Sequence, residues 1–426
     1  MTQELTSADP ADSAPPPGPP RARIIGLDGV RGVLCLSIAI THVTGHYSPQ
    51  TAAAWKTNAF GFSLVYFFVL SGFLLSLPFI RNLIKDRAES AMPNVADYTV
   101  HRIARIMPAY LVIFLICNFL LQVSYVDNPA LYPMGGDDGT GMITDPGMLA
   151  ANLTLTQSYF PAYIQTGINP SWSLTLEYAF YACLPVLFFG VFAMRRRLQM
   201  NPYLLASLVP GALLVLGMAG RAFIPLVNSL AGTTDFNLLN WGPTWAAVFT
   251  KSLLTNADNF ALGMFAALLF VAIERGALPV RISRRIRLVS LLAILPVLFL
   301  SALMLAFATQ FVTAGVGLVA ALMVLVIVVP LAQHRSSRLA RALDFGPIRF
   351  VGEISLSAYL WHFPVLLMLG RFGWMAGDTV GGMLQNTALV LGVTILMGSI
   401  TYYLVEKPAM KYAKRVRARS TATARV

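Results

Sequence analysis

Charge is what this sequence has least of: only 12% of its 426 residues are Asp, Glu, Lys or Arg, and 56% are hydrophobic. That halves the charged share of an ordinary soluble domain, so solvated side chains cannot cover a globule of this size and the bilayer is the remaining solvent. Cysteine is scarce too. Cys35, Cys117 and Cys183 are scattered through apolar segments, which excludes a disulfide framework and a cysteine-based metal cluster. Phosphate-binding Walker loops, Gly-x-Ser-x-Gly elbows and His-Glu-x-x-His zinc motifs are all missing, so soluble-enzyme templates give nothing. Acidic residues number 19 against 31 basic ones, a net charge of +12. A basic inner surface against anionic lipid accounts for that excess, and no nucleic-acid partner is called for.

What the chain has is apolar length. Ten stretches long enough to cross hydrocarbon as helices run at about 30–46, 60–80, 106–126, 171–193, 203–226, 254–273, 288–307, 311–330, 350–370 and 386–406. The fold expected is all-α and integral to the membrane, with about ten transmembrane helices. Basic residues test that count, because cytoplasmic loops carry the positive excess. With both termini cytoplasmic, 26 of the 31 Lys and Arg residues fall inside, and only Lys56, Lys251 and Arg371 lie in the opposite loops. A wrong number of spans would scramble this asymmetry. The sequence thus reads as a multi-pass protein of the inner (plasma) membrane.

Residues 1–22, rich in Pro, Ala and Asp, read as a disordered cytoplasmic tail and not as a signal peptide. Residues 23–412 form the transmembrane domain, and 413–426 a basic cytoplasmic tail. The longest loop, about Asp127 to Pro170, is expected outside as a cover or acceptor-binding element, with a short surface helix near Leu149 to Tyr159. No internal repeat is visible.

Arg31 and His42 occupy the first span, and ionisable groups at membrane depth are functional candidates by default. Eleven residues apart, they share one helix face and stand about 16 Å apart along it. Five further patterns accompany IIGLDGVRGVLCLSIAITH at 24–42: FFVLSGFLL at 67–75, RIARIMPAY at 102–110, WSLTLEYAFY at 172–181, GEISLSAYLWHFP at 352–364 and YYLVEKPA at 402–409. Together, in this order, they resemble the membrane-bound acyltransferase family 3, whose members acylate sugars, glycolipids, peptidoglycan or macrolides. The resemblance covers nearly the whole chain.

It implies an arginine–ten residues–histidine signature at Arg31 and His42, with His42 catalytic, and an arginine–two residues–arginine signature at Arg102 and Arg105, associated with an acyl-coenzyme A donor. Ser71, Trp172, Glu177 and His362 match further polar or aromatic positions of the family pattern. One departure matters: many members carry an aspartate ahead of the Phe-Phe-Val-x-Ser-Gly stretch, where this chain has Val65. A His–Asp pair built from that position is therefore ruled out here.

The chemistry points the same way. Moving an acyl group from a thioester to an alcohol requires a base for the hydroxyl proton, and imidazole suits neutral pH. His42 is the candidate base, with Glu177 as its orienting carboxylate or, alternatively, as a structural hydrogen-bond hub. Ser173, Glu177 and Tyr181 share a helix face at steps of four. Arg102 and Arg105, placed just ahead of the third span, are candidate anchors for the phosphates of acyl-coenzyme A (acetyl-coenzyme A being the expected donor), together with Arg31; the alternative is ordinary positive-inside decoration. His362, on a polar face with Ser355 and Tyr359, belongs either to the reaction chamber, where Ser71, Trp172 and Tyr359 would meet substrate, or to a structural network. Glu406 reads as closing the last helix by pairing with a neighbour. His42 and His46 lack a third ligand at suitable spacing, so no metal is expected.

The function expected is O-acylation, by acetyl transfer, of a cell-envelope glycan or glycolipid such as a trehalose mycolate. Partners would be acyl-coenzyme A, the acceptor, the bilayer, and envelope transport or assembly proteins. The nearest rival acceptor is a macrolide or other secondary metabolite. A secondary transporter or lipid flippase is the rival from another class, but it calls for internal repeats and interrupted paired helices.

Overall fold

A backbone can cross hydrocarbon only with its hydrogen bonds closed internally, and this chain does so with helices. The computed structural model describes residues 23–423; the tail at 1–22 and the last three residues of the basic tail lie outside them. The first half comprises α1 (Leu27–Tyr47), α2 (Pro49–Trp55), α3 (Ser63–Leu83), α4 (Val95–Leu115), α5 (Pro146–Leu153) and α6 (Trp172–Arg197). Next come α7 (Pro202–Ser229), α8 (Phe236–Trp241), α9 (Trp245–Thr250), α10 (Leu253–Glu274), α11 (Val280–Phe307) and α12 (Val312–Ala332). The chain finishes with α13 (Arg338–Leu343), α14 (Gly346–Glu353), α15 (Ser355–Arg371), α16 (Val380–Thr401) and α17 (Lys407–Thr423). Among the described residues nine helical runs are long and apolar enough to span a membrane, and ten if α14 and α15, bent by 77°, are one span. The protein is an all-α, multi-pass membrane protein.

Each of the ten expected segments overlaps a helix, but the seventh and tenth begin eight and six residues inside α11 and α16, and two others depart further. The third was placed at 106–126, but α4 begins at Val95, capped by the Asn94 side chain accepting from the Asp97 N–H. It continues as a π-helical turn over Ile116–Leu121. Arg102 and Arg105 therefore lie within the helix, about 10 and 15 Å from its start, instead of ahead of it. Their charge lowers the hydropathy of the first half and hides it from a window average. The ninth segment, read as continuous, is broken at Ile354 between α14 and α15.

Close packing is set by small residues. A methyl group placed on Gly72 of α3 would lie 2.1 Å from the Phe260 carbonyl oxygen of α10, and one on Gly263 of α10 would lie 1.9 Å from the Val69 oxygen of α3. The two backbones therefore touch. The α7–α10 contact holds a buried ion pair: the Arg221 guanidinium donates to both oxygens of Asp258, at 2.9 and 3.1 Å, and also to Gln310 O and the Thr313 hydroxyl. Helix α11 packs chiefly on α12, leaving Leu292, Leu295 and Phe299 more than 60% exposed. In a bilayer that face meets lipid.

The long loop is well structured. It holds a two-residue antiparallel pair, β1 (Ser124–Tyr125) with β2 (Thr140–Gly141), then α5 and a 3-10 turn at Gln157–Tyr159, which divide the expected surface helix in two. Buried side chains fasten it to the bundle. The Tyr110 hydroxyl donates to Asn152 O at 2.7 Å, and the Asn128 amide donates to Ile164 O and Trp241 O.

Candidate active site

Arg31 on α1, Ser71 on α3, Arg102 and Arg105 on α4, and Glu177 on α6 converge on one cavity of about 300 Å³. Its lining extends to Ser173, Tyr181 and Tyr359. Ser173, Glu177 and Tyr181 thus share a face, as their spacing of four required. No ion pair to Arg31, Arg102 or Arg105 forms among the described residues, and the buried Nε of Arg102 has no hydrogen-bond partner there. Three cations around a cavity, none committed to a carboxylate, make a site ready for an anion.

Glu177 is occupied differently from the expectation that it orients His42. Its Oε1 accepts from the Ser71 hydroxyl at 2.9 Å, and its Oε2 from the Tyr181 hydroxyl at 2.7 Å. With both oxygens engaged in the cavity wall, Glu177 fills the role of hub and makes no hydrogen bond to His42. Glu406, the other carboxylate nearby, is fully buried, accepts from the Ser357 hydroxyl at 2.9 Å, and lies within electrostatic reach of Arg105 and Arg31.

His42 pairs instead with His362. Its Nδ1 lies 2.7 Å from His362 Nε2, with the two rings 7° from parallel. The other nitrogen of His362, Nδ1, bonds the Tyr359 carbonyl oxygen one turn earlier on α15. A carbonyl only accepts, so His362 Nδ1 carries a proton and, in the neutral ring, Nε2 carries a lone pair. His42 Nδ1 must then donate. That leaves His42 Nε2 unprotonated, the form a general base needs.

Tyr359 joins this chain to the cavity, because its hydroxyl lies 2.8 Å from the Ser173 hydroxyl and donates to Pro170 O at 3.0 Å. Neither histidine lines the cavity itself. Phe363 packs edge-on against His42, with ring centroids 5.3 Å apart. His46 turns away: its Nε2 bonds the Gly136 carbonyl of the long loop at 2.8 Å. Among the described residues no group of three His, Cys, Asp or Glu side chains could hold a metal ion.

Trp172 stands apart from the cavity. It packs edge-on against Trp241, centroids 5.8 Å apart, with the Lys251 ammonium 5.0 Å from its own ring and 3.3 Å from that of Trp241. The sequence reading missed Trp241 and Lys251, which carry no motif. Their only signal was Lys251 itself, one of three basic residues in loops otherwise free of them.

A family model described as an acyltransferase domain matches residues 24–404. The O-acetyltransferase OatA of Staphylococcus aureus (strain NCTC 8325 / PS 47) is 24% identical over 397 residues, covering 91% of this chain and 57% of OatA. A putative peptidoglycan O-acetyltransferase, YrhL of Bacillus subtilis (strain 168), is 25% identical over 392 residues, 90% of this chain and 54% of YrhL. This chain thus spans little more than half the length of those two relatives. Acyltransferase MdmB of Streptomyces mycarofaciens matches nearly end to end, 26% identical over 418 residues, 95% of this chain and 96% of MdmB. No solved structure gives a significant match. With the family model spanning residues 24–404, which take in the first five sequence patterns whole and the start of the sixth, this chain belongs to the acyltransferase-domain family.

Proposed function

We propose that the protein is a membrane O-acyltransferase that takes an acyl group from cytoplasmic acyl-coenzyme A and passes it to a hydroxyl of an envelope glycan or glycolipid. The observation that carries this reading is the Tyr359–His362–His42 hydrogen-bond chain, which fixes the basic tautomer of His42 at membrane depth. Arg31, Arg102 and Arg105 supply the cations for the donor's phosphates, each charge-assisted contact contributing on the order of 1.5 to 3 kcal/mol. Family membership favours an enzyme over the transporter or flippase alternative.

In the transfer, His42 Nε2 takes the acceptor's hydroxyl proton as the oxygen attacks the thioester carbonyl. A C–O bond forms, the C–S bond breaks, and the coenzyme A thiolate leaves and takes the proton from His42 Nε2, which restores the neutral base. The imidazolium that develops on His42 keeps its Nδ1–H directed at His362 Nε2. Ser71, Ser173 and Tyr359 are hydroxyl groups within the same wall for contact with substrate, and Trp172 lies toward the acceptor side.

The names of OatA and YrhL support transfer of an acetyl group, and that of YrhL an envelope acceptor; a trehalose mycolate is a further candidate acceptor. Mass spectrometry of lipids, glycans and secondary metabolites from a deletion strain, complemented with wild type or His42→Ala, tests the reading. One acyl increment should vanish from an envelope component and return only with wild type. Loss from a secondary metabolite would move the acceptor to the macrolide-type alternative, and an unchanged profile would overturn the reading.

A further inference from the structure

A second concavity, of about 510 Å³, lies between α4 and α6 and shares Arg102 and Tyr181 with the first. Its walls are otherwise largely apolar, with Met92 just ahead of α4 and Val95 and Ile103 on it facing Pro185, Val186 and Phe189 on α6. Val186 and Phe189 are 71% and 67% exposed, so the groove opens sideways onto hydrocarbon. The polar groups are few. Tyr98 precedes Arg102 by one helical turn, Tyr178 precedes Tyr181 by three residues, and the Tyr98 hydroxyl, the Tyr178 hydroxyl and Arg102 Nε are all buried without a hydrogen-bond partner among the described residues.

Buried donors next to hydrocarbon are costly unless a ligand brings acceptor oxygens, so the groove suits a molecule with a polar head at Arg102 and an alkyl tail. Position selects which molecule. The groove follows α6 from Tyr178 to Phe189, toward Arg195–Arg197 in the last turn of that helix, whereas Trp172 and the long loop that precedes it lie at the other end of α6. A tail there belongs to the donor and not to an acceptor arriving from the loop side.

We propose that the α4–α6 groove is an acyl-chain subsite, binding the hydrocarbon tail of acyl-coenzyme A donors longer than acetyl, which enters it from the adjoining cavity past Arg102 and Tyr181. The proposal rests on the acyl-coenzyme A reading above and extends it to chain length. Each methylene that leaves water for the groove strengthens binding roughly three- to fourfold.

The test is calorimetric titration of the full-length protein in nanodiscs with free coenzyme A, acetyl-coenzyme A and octanoyl-coenzyme A, comparing wild type with Val186→Trp and Ala182→Trp. Both substituted positions are exposed on the groove and touch none of the cavity residues' hydrogen bonds, so folding should survive. Octanoyl-coenzyme A should bind wild type at least tenfold tighter than acetyl-coenzyme A, and each tryptophan should remove that advantage while leaving acetyl-coenzyme A binding within twofold. Equal binding of the acetyl and octanoyl donors, or an advantage that survives both tryptophans, overturns the subsite and leaves the donor reading intact. Failure of all three probes to bind overturns the donor reading, and the subsite with it.

Discussion

His42 and His362, 320 residues apart in sequence, meet nitrogen to nitrogen at 2.7 Å, and the Tyr359 carbonyl behind His362 sets the direction of that hydrogen bond. His362 is thereby a positioning residue for the proposed base. His42→Ala should lower the transfer rate by roughly 10² to 10⁴. His362→Phe, which fills the space but accepts nothing, should cost on the order of 10² in kcat with little change in KM. His362→Gln, whose amide oxygen can accept from His42 Nδ1, should recover part of the loss. His46→Ala, acting on the loop contact alone, should stay within a few-fold of wild type. If Phe and Gln at 362 behave alike, the pair does not set the tautomer.

The arginines make a separable prediction. Neutralising Arg102 or Arg105 to Gln should weaken acyl-coenzyme A binding by about ten- to a hundredfold, the loss of one charge-assisted phosphate contact. Arg81 is a poor control, since its guanidinium makes two hydrogen bonds to Glu274. Arg284, exposed on α11, serves instead. Donor affinity is read by titration calorimetry, and equal affinities across the three variants would reduce Arg102 and Arg105 to topological markers.

Sidedness can be checked by labelling. The proposed path has its donor arriving at the arginine-rich end and its acceptor at the loop end. Single cysteines at Asp138 and Ser336, both exposed, in a background lacking Cys35, Cys117 and Cys183, should react with an impermeant thiol reagent from opposite faces. Neighbouring Ser337 is unsuitable because it is buried and caps α13 through the Ala340 N–H. Reaction of both cysteines from one face would refute the path.

Most of the spans were legible because each carries its own apolar run, as α6 and α10 do. The start of α4 was not, since its polar residues face a cavity and a local average cannot distinguish that from an interface with water. The cavity itself was half legible. Spacing alone put Ser173, Glu177 and Tyr181 on one face, and the motifs singled out Arg31, Arg102 and Arg105. Which partner His42 takes depends on how α1 and α15 are set against each other, and no local pattern encodes that. Glu177 was the best buried carboxylate that the sequence offered, yet Ser71 and Tyr181 occupy it.

A prediction about stability concerns Arg221 and Asp258, whose side chains are 4% and 0% exposed. Arg221→Leu should destabilise the protein by roughly 3 to 5 kcal/mol, because Asp258 is left as an uncompensated buried charge. Adding Asp258→Leu should restore most of the loss. Thermal unfolding in nanodiscs reads both, and a double variant no more stable than the single would show that the pair holds α7 and α10 together by more than charge balance.

The glycines around Arg31 are a matter of leverage. A methyl group on Gly29 would lie 1.6 Å from the Leu343 oxygen, on Gly32 2.4 Å from the Ile348 oxygen, and on Gly352 1.8 Å from the Asp28 oxygen. Helix α1 is thus seated directly on the backbone of the α13–α14 segment, and that seat acts as a fulcrum. A fraction of an ångström of tilt there is carried along about 16 Å of rigid helix to His42. One added carbon at the seat would therefore change the meeting of two imidazoles that it never touches, so the motif around Arg31 sets the height and aim of the base as well as the charge below it.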